Sequence, residues 1–210
     1  MSAIRTMNER SLTVAVAELC ARDEDFAAVY QKYGTPPLWA RPAGYHTLLL
    51  LILEQQVSLA SARAAYARLQ AQVGEITPAS VLELDDGTMR AVGFSRQKSG
   101  YARYLSQAIL EGRFDPDELP GLPDDEVKQR LTALKGIGVW TAEVYLLMVL
   151  CRADAWPVGD VALAQAIMEV KSLPARPSHD EVARIGEQWR PWRAAAARIL
   201  WHHYLSVRKK

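Results

Sequence analysis

The run LTALKGIGVWTAEVYLL, Leu131 to Leu147, constrains this chain more than any other segment. Its apolar residues recur at helical spacing on either side of Gly136-Ile137-Gly138, which predicts a helix, a sharp turn and a second helix. Two glycines around one isoleucine let the backbone turn tightly and expose bare peptide groups where side chains would intrude. The helix that opens after Gly138 has first amides without intrahelical partners, which suits a phosphate oxygen. A nucleic-acid backbone held at Gly136, Gly138 and Thr141 would bring its sugar toward the next segment, WPVGDVALAQAI. That segment supplies an acid, Asp160, at a helix start where an aspartate also serves as an ordinary N-cap.

The remainder is helical too. Apolar residues follow i, i+3, i+4 spacing in most segments from Ser11 to Ser206, and sustained period-2 alternation is absent. Ser58, Thr77, Ser95, Asp160 and Ser178 stand at expected N-caps, while Gly34, Gly74, Gly93, Gly112 and Gly136 mark stops. Short links between helices predict an all-α fold, a two-lobed helical bundle with a cleft between the lobes. The expected division is a middle lobe over 45–150, with the helix-hairpin-helix at about 126–150, and a second lobe from 1–44 plus 151–210. Periodicity alone does not dictate that discontinuous pairing.

Composition narrows the function classes. No apolar run approaches the roughly 20 residues of a membrane span, and the start MSAIRTMNER has no apolar core of a secretory signal. Cys20 and Cys151 are too few and too far apart for a disulfide framework, a cysteine-ligated zinc or an iron–sulfur cluster, so a cytoplasmic setting is expected. The formal net charge is only +1, but bases are unevenly spread. Ser95 to Arg103 carries three bases and no acid. Beyond Glu187 the chain has Arg190, Arg193, Arg198, Arg208, Lys209 and Lys210 and no acid. Such strips suffice to track phosphates, although solvated helix faces would look the same.

The string LxxLKGIGVWTAE and the aspartate after a short loop resemble the helix-hairpin-helix DNA glycosylases. Three further segments narrow the resemblance to the 3-methyladenine DNA glycosylase II type of alkylation repair: LEQQVSLASA (Leu53–Ala62), GFSRQKSGYARYLSQAI (Gly93–Ile109) and WRPWRAAAARILWHHY (Trp189–Tyr204). The likeness runs from about residue 45 to 205, and it implies a form lacking the N-terminal β domain of longer members. The implied partner is double-stranded DNA containing alkylated bases. The implied protein is a monomer without a membrane association, nucleoid-associated if bacterial.

The resemblance assigns roles by position. Asp160 would stabilise an oxocarbenium-like sugar and orient or deprotonate the attacking water. Trp140 stands where bifunctional members carry a Schiff-base lysine, so a monofunctional enzyme that leaves an abasic site is expected. Trp140 and Trp201 would wall the base pocket, where electron-rich faces attract a cationic methylated purine. Val144, Val161 and Ala162 replace larger residues there, which predicts a wider pocket tolerant of 1-methyladenine, 3-methylcytosine or ethenoadenine, with Tyr145 filling part of the space. Gln56, flanked by Gln55 and Val57, matches the wedge that fills the gap left by a flipped nucleotide. Ser95, Arg96 and Lys98 would grip phosphates. No cofactor is required, although the backbone carbonyls of Thr132, Leu134 and Ile137 would suit a structural Na+ or K+. Trp189 and Trp192 are expected to pack, and Trp39 and Trp156 carry no signal. The rival readings are a non-catalytic helix-hairpin-helix module that binds damaged DNA, and a glycosylase for mismatched or oxidised bases.

Overall fold

Short polar side chains set where the helices begin. A computed structural model describes residues 4–208, so Lys209 and Lys210 of the basic tail lie outside the described residues. The first helices are α1 (Glu9–Arg22), α2 (Glu24–Tyr33), α3 (Tyr45–Glu54), α4 (Leu59–Val73), α5 (Pro78–Leu82) and α6 (Asp86–Ala91). They are followed by α7 (Arg96–Leu110), α8 (Asp124–Thr132), α9 (Val139–Met148), α10 (Val161–Val170), α11 (His179–Gly186) and α12 (Arg193–Arg208). Among the described residues there are no strands, only an isolated bridge between Thr6 and Arg152. The fold is all-α.

Ser58, Thr77, Ser95, Asp160 and Ser178 each cap a helix as the sequence predicts, their side-chain oxygens accepting an amide of the first turn. Five starts, those of α1, α2, α6, α9 and α12, shift by one or two residues from the periodic reading, and three of them have a clear local cause. Helix α1 opens at Glu9 rather than Ser11, because Asn8 and Ser11 exchange side-chain and backbone bonds at 2.8 and 2.9 Å. Asp23 caps α2, which therefore opens at Glu24, one residue before the expected Asp25. Helix α12 opens at Arg193, since the Trp192 amide turns back to the Trp189 carbonyl at 2.8 Å.

The chain divides into two compact units, 41–142 and 1–40 with 143–210. The boundaries fall at 40/41 and inside α9, where the sequence placed them at 44/45 and 150/151. In the central unit α3 is largely buried, with Leu48, Leu49, Leu51, Ile52 and Leu53 at or below 1% exposure. It packs against α4 and α7, and each such side chain contributes about 1.5–3 kcal/mol of burial. The Tyr45 hydroxyl meets the Ser106 hydroxyl at 2.7 Å inside this core, and burial pushes its pKa up to about 12.

In the other unit α12 lies against α1, α2 and α10. Ala194 to Ala197 are wholly buried, and their small side chains let helices approach closely. Arg198 is buried with them. Its guanidinium donates to the carbonyls of Leu38 (2.8 Å), Ala194 (3.0 Å) and Leu147 (2.7 Å), and burial lowers its pKa to about 10. Trp189 stacks on Phe26 and donates to Asp23, so it packs as expected; the Trp192 indole donates to Glu18.

The basic tail is not a free strip. Arg190 and Arg193 pair with Asp154 and Glu187, and Arg208 pairs with Glu169 at 2.6 Å. With Arg198 interior, none of the four described arginines beyond Glu187 is left for phosphate. No helix among the described residues is long and apolar enough to cross a membrane.

Candidate active site

The hairpin between α8 and α9 is built around an interior isoleucine. Ile137 is 4% exposed, and its amide donates to the Leu134 carbonyl at 3.1 Å, which closes the turn. Its two glycines serve different ends. Gly136 has φ +92°, and a Cβ there would lie 2.2 Å from the Tyr101 ring, so both backbone and neighbour demand glycine. Gly138 has no positive φ, and a Cβ there would meet nothing within 4 Å. No protein contact requires that glycine; it leaves open space beside the first turn of α9. The first bond of α9 runs from the Ala142 amide to the Gly138 carbonyl at 3.0 Å, so the amides of 139–141 precede it. Thr141 is 3% exposed, which leaves only its backbone for a ligand. Trp140 is half-buried and Lys135 exposed.

The turn after α3 is tied to this hairpin. Gln55 Nε2 donates to the Gly136 carbonyl at 2.8 Å, so Gln55 braces the hairpin rather than reaching out. Gln56 is exposed with φ +57°, a left-handed conformation that costs a non-glycine residue about 1 kcal/mol and gathers at functional sites. Val57 and Leu59 beside it are 46% and 51% exposed. Lys98 departs from its expected role. Its Nζ donates to the Leu53 carbonyl at 2.7 Å, capping the end of α3, and burial lowers its pKa. Ser95 spends its hydroxyl on the Lys98 amide, and Arg103 is held by Asp86 and the Leu84 carbonyl. Of the three bases in this run, Arg96 alone is exposed without an ion pair among the described residues.

In the unit of 1–40 and 143–210, Asp160 Oδ1 accepts two bonds, from the Leu163 amide at 2.7 Å and from Trp201 Nε1 at 3.1 Å. Capping alone contributes about 1 kcal/mol, and Ser or Asn would supply it as well. The indole bond is a second, separate use of this carboxylate. It fixes the rotamer. Asp160 is half-buried, and a cavity of about 300 Å³ adjoins it. Val158, Asp160, Val161, Arg176, Ser178 and His179 are among the residues lining that cavity. Trp201 is 7% exposed, with Trp39 edge-on at 6.5 Å, so Trp39 supports the site that the sequence gave it no part in. Trp156 is also structural, its indole donating to the Val182 carbonyl at 3.0 Å.

The remaining expected pocket residues divide. Val161 is 65% exposed beside the carboxylate and Ala162 is half-buried. Val144 and Tyr145 are interior, at 5% and 0% exposure, so Tyr145 belongs to the packing of α9 rather than to an open pocket surface. Sequence reasoning missed Arg176 and His179. The available signal was Lys171 to His179, a run with three basic-type residues and no acid. The other histidines pack: His46 meets Tyr66, His202 the Tyr33 carbonyl and His203 Glu169. No His, Cys, Asp and Glu cluster that could hold a metal occurs among the described residues.

Comparison with known proteins identifies the family. Residues 49–191 match the HhH-GPD superfamily base excision DNA repair proteins. DNA-3-methyladenine glycosylase 1 of Schizosaccharomyces pombe is 30% identical over 198 residues, covering 91% of this chain and 87% of that protein. YfjP of Bacillus subtilis is 28% identical over 183 residues, covering 83% of this chain and 64% of that longer protein. Among solved structures, the S. pombe 3-methyladenine DNA glycosylase Mag1 in complex with abasic DNA superposes with a TM-score of 0.82 at 29% identity. That match spans 89% of this chain and 94% of Mag1.

Proposed function

This chain belongs to the HhH-GPD superfamily of base excision DNA repair proteins, and from that premise we propose that it is a monofunctional DNA glycosylase for alkylated bases. It hydrolyses the N-glycosidic bond of 3-methyladenine-type lesions in duplex DNA and leaves an abasic site. The observation that carries this reading is the Asp160 carboxylate, fixed by the Trp201 indole and the Leu163 amide beside a cavity. Breaking the bond gives the sugar oxocarbenium character, which a fixed anion stabilises without reorganising. The same carboxylate orients or deprotonates the attacking water. A methylated purine leaves as a neutral base, so the departing group needs no protein acid.

The hairpin and the turn after α3 supply the DNA contacts. Open space at Gly138 and the leading amides of α9 suit a backbone phosphate, and Arg96 adds a charge. Gln56, held in its left-handed turn, fills the gap left by the flipped nucleotide. Thr132, Leu134 and Ile137 offer backbone oxygens, the donor type a hard cation takes, and the Leu134 oxygen keeps one lone pair beyond the Ile137 amide. Those carbonyls would hold Na+ or K+, which would add positive charge near the phosphate. Trp140 at the Schiff-base position cannot form an imine, so water is the nucleophile. In a bacterium the enzyme would work as a monomer on nucleoid DNA in the cytoplasm.

The test is an excision panel in duplex oligonucleotides, with 3-methyladenine and 7-methylguanine beside 1-methyladenine, 3-methylcytosine and ethenoadenine. Base release with abasic-site formation, and no borohydride-trapped adduct, is the expected result. The exposed Val161 and small Ala162 favour activity on the bulkier lesions too. A trapped covalent adduct would overturn the monofunctional reading, and inactivity on every alkylated base would overturn the substrate class.

A further inference from the structure

The cavity beside Asp160 carries a second chemistry. Its lining includes Arg176 and His179, from the link between α10 and α11. That link, KSLPARPSH, contains no acid. Lys171 is spent on Asp23 and Asp25, at 2.6 and 2.9 Å. Arg176 and His179 are exposed and form no ion pair or hydrogen bond among the described residues. Of the two carboxylates that follow, Asp180 is exposed next to His179, and Glu181 is committed to the Ser178 amide and hydroxyl, both at 2.8 Å. The start of α11 is therefore answered by the protein's own anion, and the unpaired positive charge at the cavity belongs to Arg176, with the His179 imidazole beside it as a hydrogen-bonding group. Their backbone is ordered in advance. Pro174 and the buried Pro177 fix their own φ, and Pro177 disfavours helical backbone at Arg176.

The charge chooses the occupant. About 300 Å³ is the lower end of small-molecule sites and admits only part of a nucleotide. Asp160 lines the same cavity and would attract a cation, but its Oδ1 already accepts from the Leu163 amide and the Trp201 indole. At Arg176 a cationic methylated base would meet like charge, whereas a phosphodiester would meet its complement. If Asp160 faces the deoxyribose, as the proposed function requires, the flanking phosphates are that sugar's covalent neighbours. Resting on that reading, we infer that Arg176, assisted by His179, binds a backbone phosphate adjoining the sugar of the excised nucleotide. This is a phosphodiester subsite separate from the hairpin. It holds the strand at the sugar under attack, and an arginine suits it because its planar fork matches two phosphate oxygens.

The experiment measures binding of the full chain to a duplex with a tetrahydrofuran abasic analogue at the lesion position, by anisotropy across a salt series. Arg176→Ala should weaken binding about tenfold or more and reduce the salt slope by about one. Arg176→Lys should recover part of the loss, and His179→Gln should show a smaller one. In single-turnover excision the half-saturating enzyme concentration should rise while the saturating rate stays at the wild-type value. Wild-type affinity and slope in Arg176→Ala would overturn the inference. So would a lesion-dependent loss of saturating rate with abasic binding intact, which would seat the base in this cavity. Repeating the titration in Asp160→Asn separates the two proposals, because the Arg176 defect should persist there whether or not excision survives.

Discussion

In the proposed mechanism Asp160 acts through how it is held as well as through its charge. Its Oδ1 takes a helix amide and an indole N–H, and the indole is set in turn by Trp39. Replacing Trp201 with phenylalanine keeps a ring beside Trp39 but removes the donor. A hydrogen bond to a charged group contributes about 1.5–3 kcal/mol, so Trp201→Phe should slow single-turnover excision roughly tenfold or more. Asp160 was legible because three cues coincide in sequence, a glycine before it, an apolar helix after it and a hairpin upstream. Trp39 was not, because its position has no local pattern, and the acid-free run that holds Arg176 looks like any solvated link. Trp39 sits in a loop among prolines, and its partner Trp201 is far along the chain. Lys98 was misread for a related reason: a base in an acid-free run looks solvated, and only tertiary structure shows its Nζ turned onto the Leu53 carbonyl.

Among elements, the hairpin gives the sharpest contrast. Gly136→Ala places a methyl within 2.2 Å of Tyr101 at φ +92°, and should lower stability by about 2 kcal/mol or more in urea unfolding. Gly138→Ala meets no protein atom, so its unfolding midpoint should stay near wild type while affinity for duplex DNA falls. Equal stability losses in both variants would remove the argument that Gly138 is kept for a ligand. The pairing of α10 with α12 has a pH signature. Arg208, Gln165 and His203 hold the Glu169 carboxylate, the Arg208 bond first among them, and lower its pKa from 4.5 to about 2. A depressed folded-state pKa stabilises the fold above the ordinary carboxylate range, and that share is lost as pH falls through it. The unfolding midpoint of wild type should therefore exceed that of Glu169→Gln at pH 6, and the gap should close between pH 4.5 and about 2. Helix starts such as Ser58, Ser95 and Ser178 were readable because a cap is a local bond. The start of α12 was not, since the Trp189–Trp192 turn that delays it has no periodic signature.

For the whole molecule, helical content followed from periodicity, but the assembly of 1–40 with 143–210 did not. The residue that ties parts of that unit together, Arg198, looked in sequence like one more base of a phosphate-tracking tail. It is instead an interior guanidinium joining Leu38, Leu147 and Ala194. Periodicity reports which face of a helix is apolar; it cannot report which distant carbonyls a buried charge will find. In the proposed reading, recognition of DNA rests on few unpaired basic side chains, Arg96 and Arg176 among them, in keeping with a formal net charge of +1. The central claim is that one fixed carboxylate lets this protein hydrolyse the glycosidic bond of an alkylated base. The most direct test is single-turnover release of 3-methyladenine by the intact protein, compared with Asp160→Asn, whose asparagine preserves the α10 cap. The account predicts that the variant folds with near wild-type stability, still binds abasic DNA, and loses about a hundredfold or more in rate. Wild-type release by Asp160→Asn would contradict it.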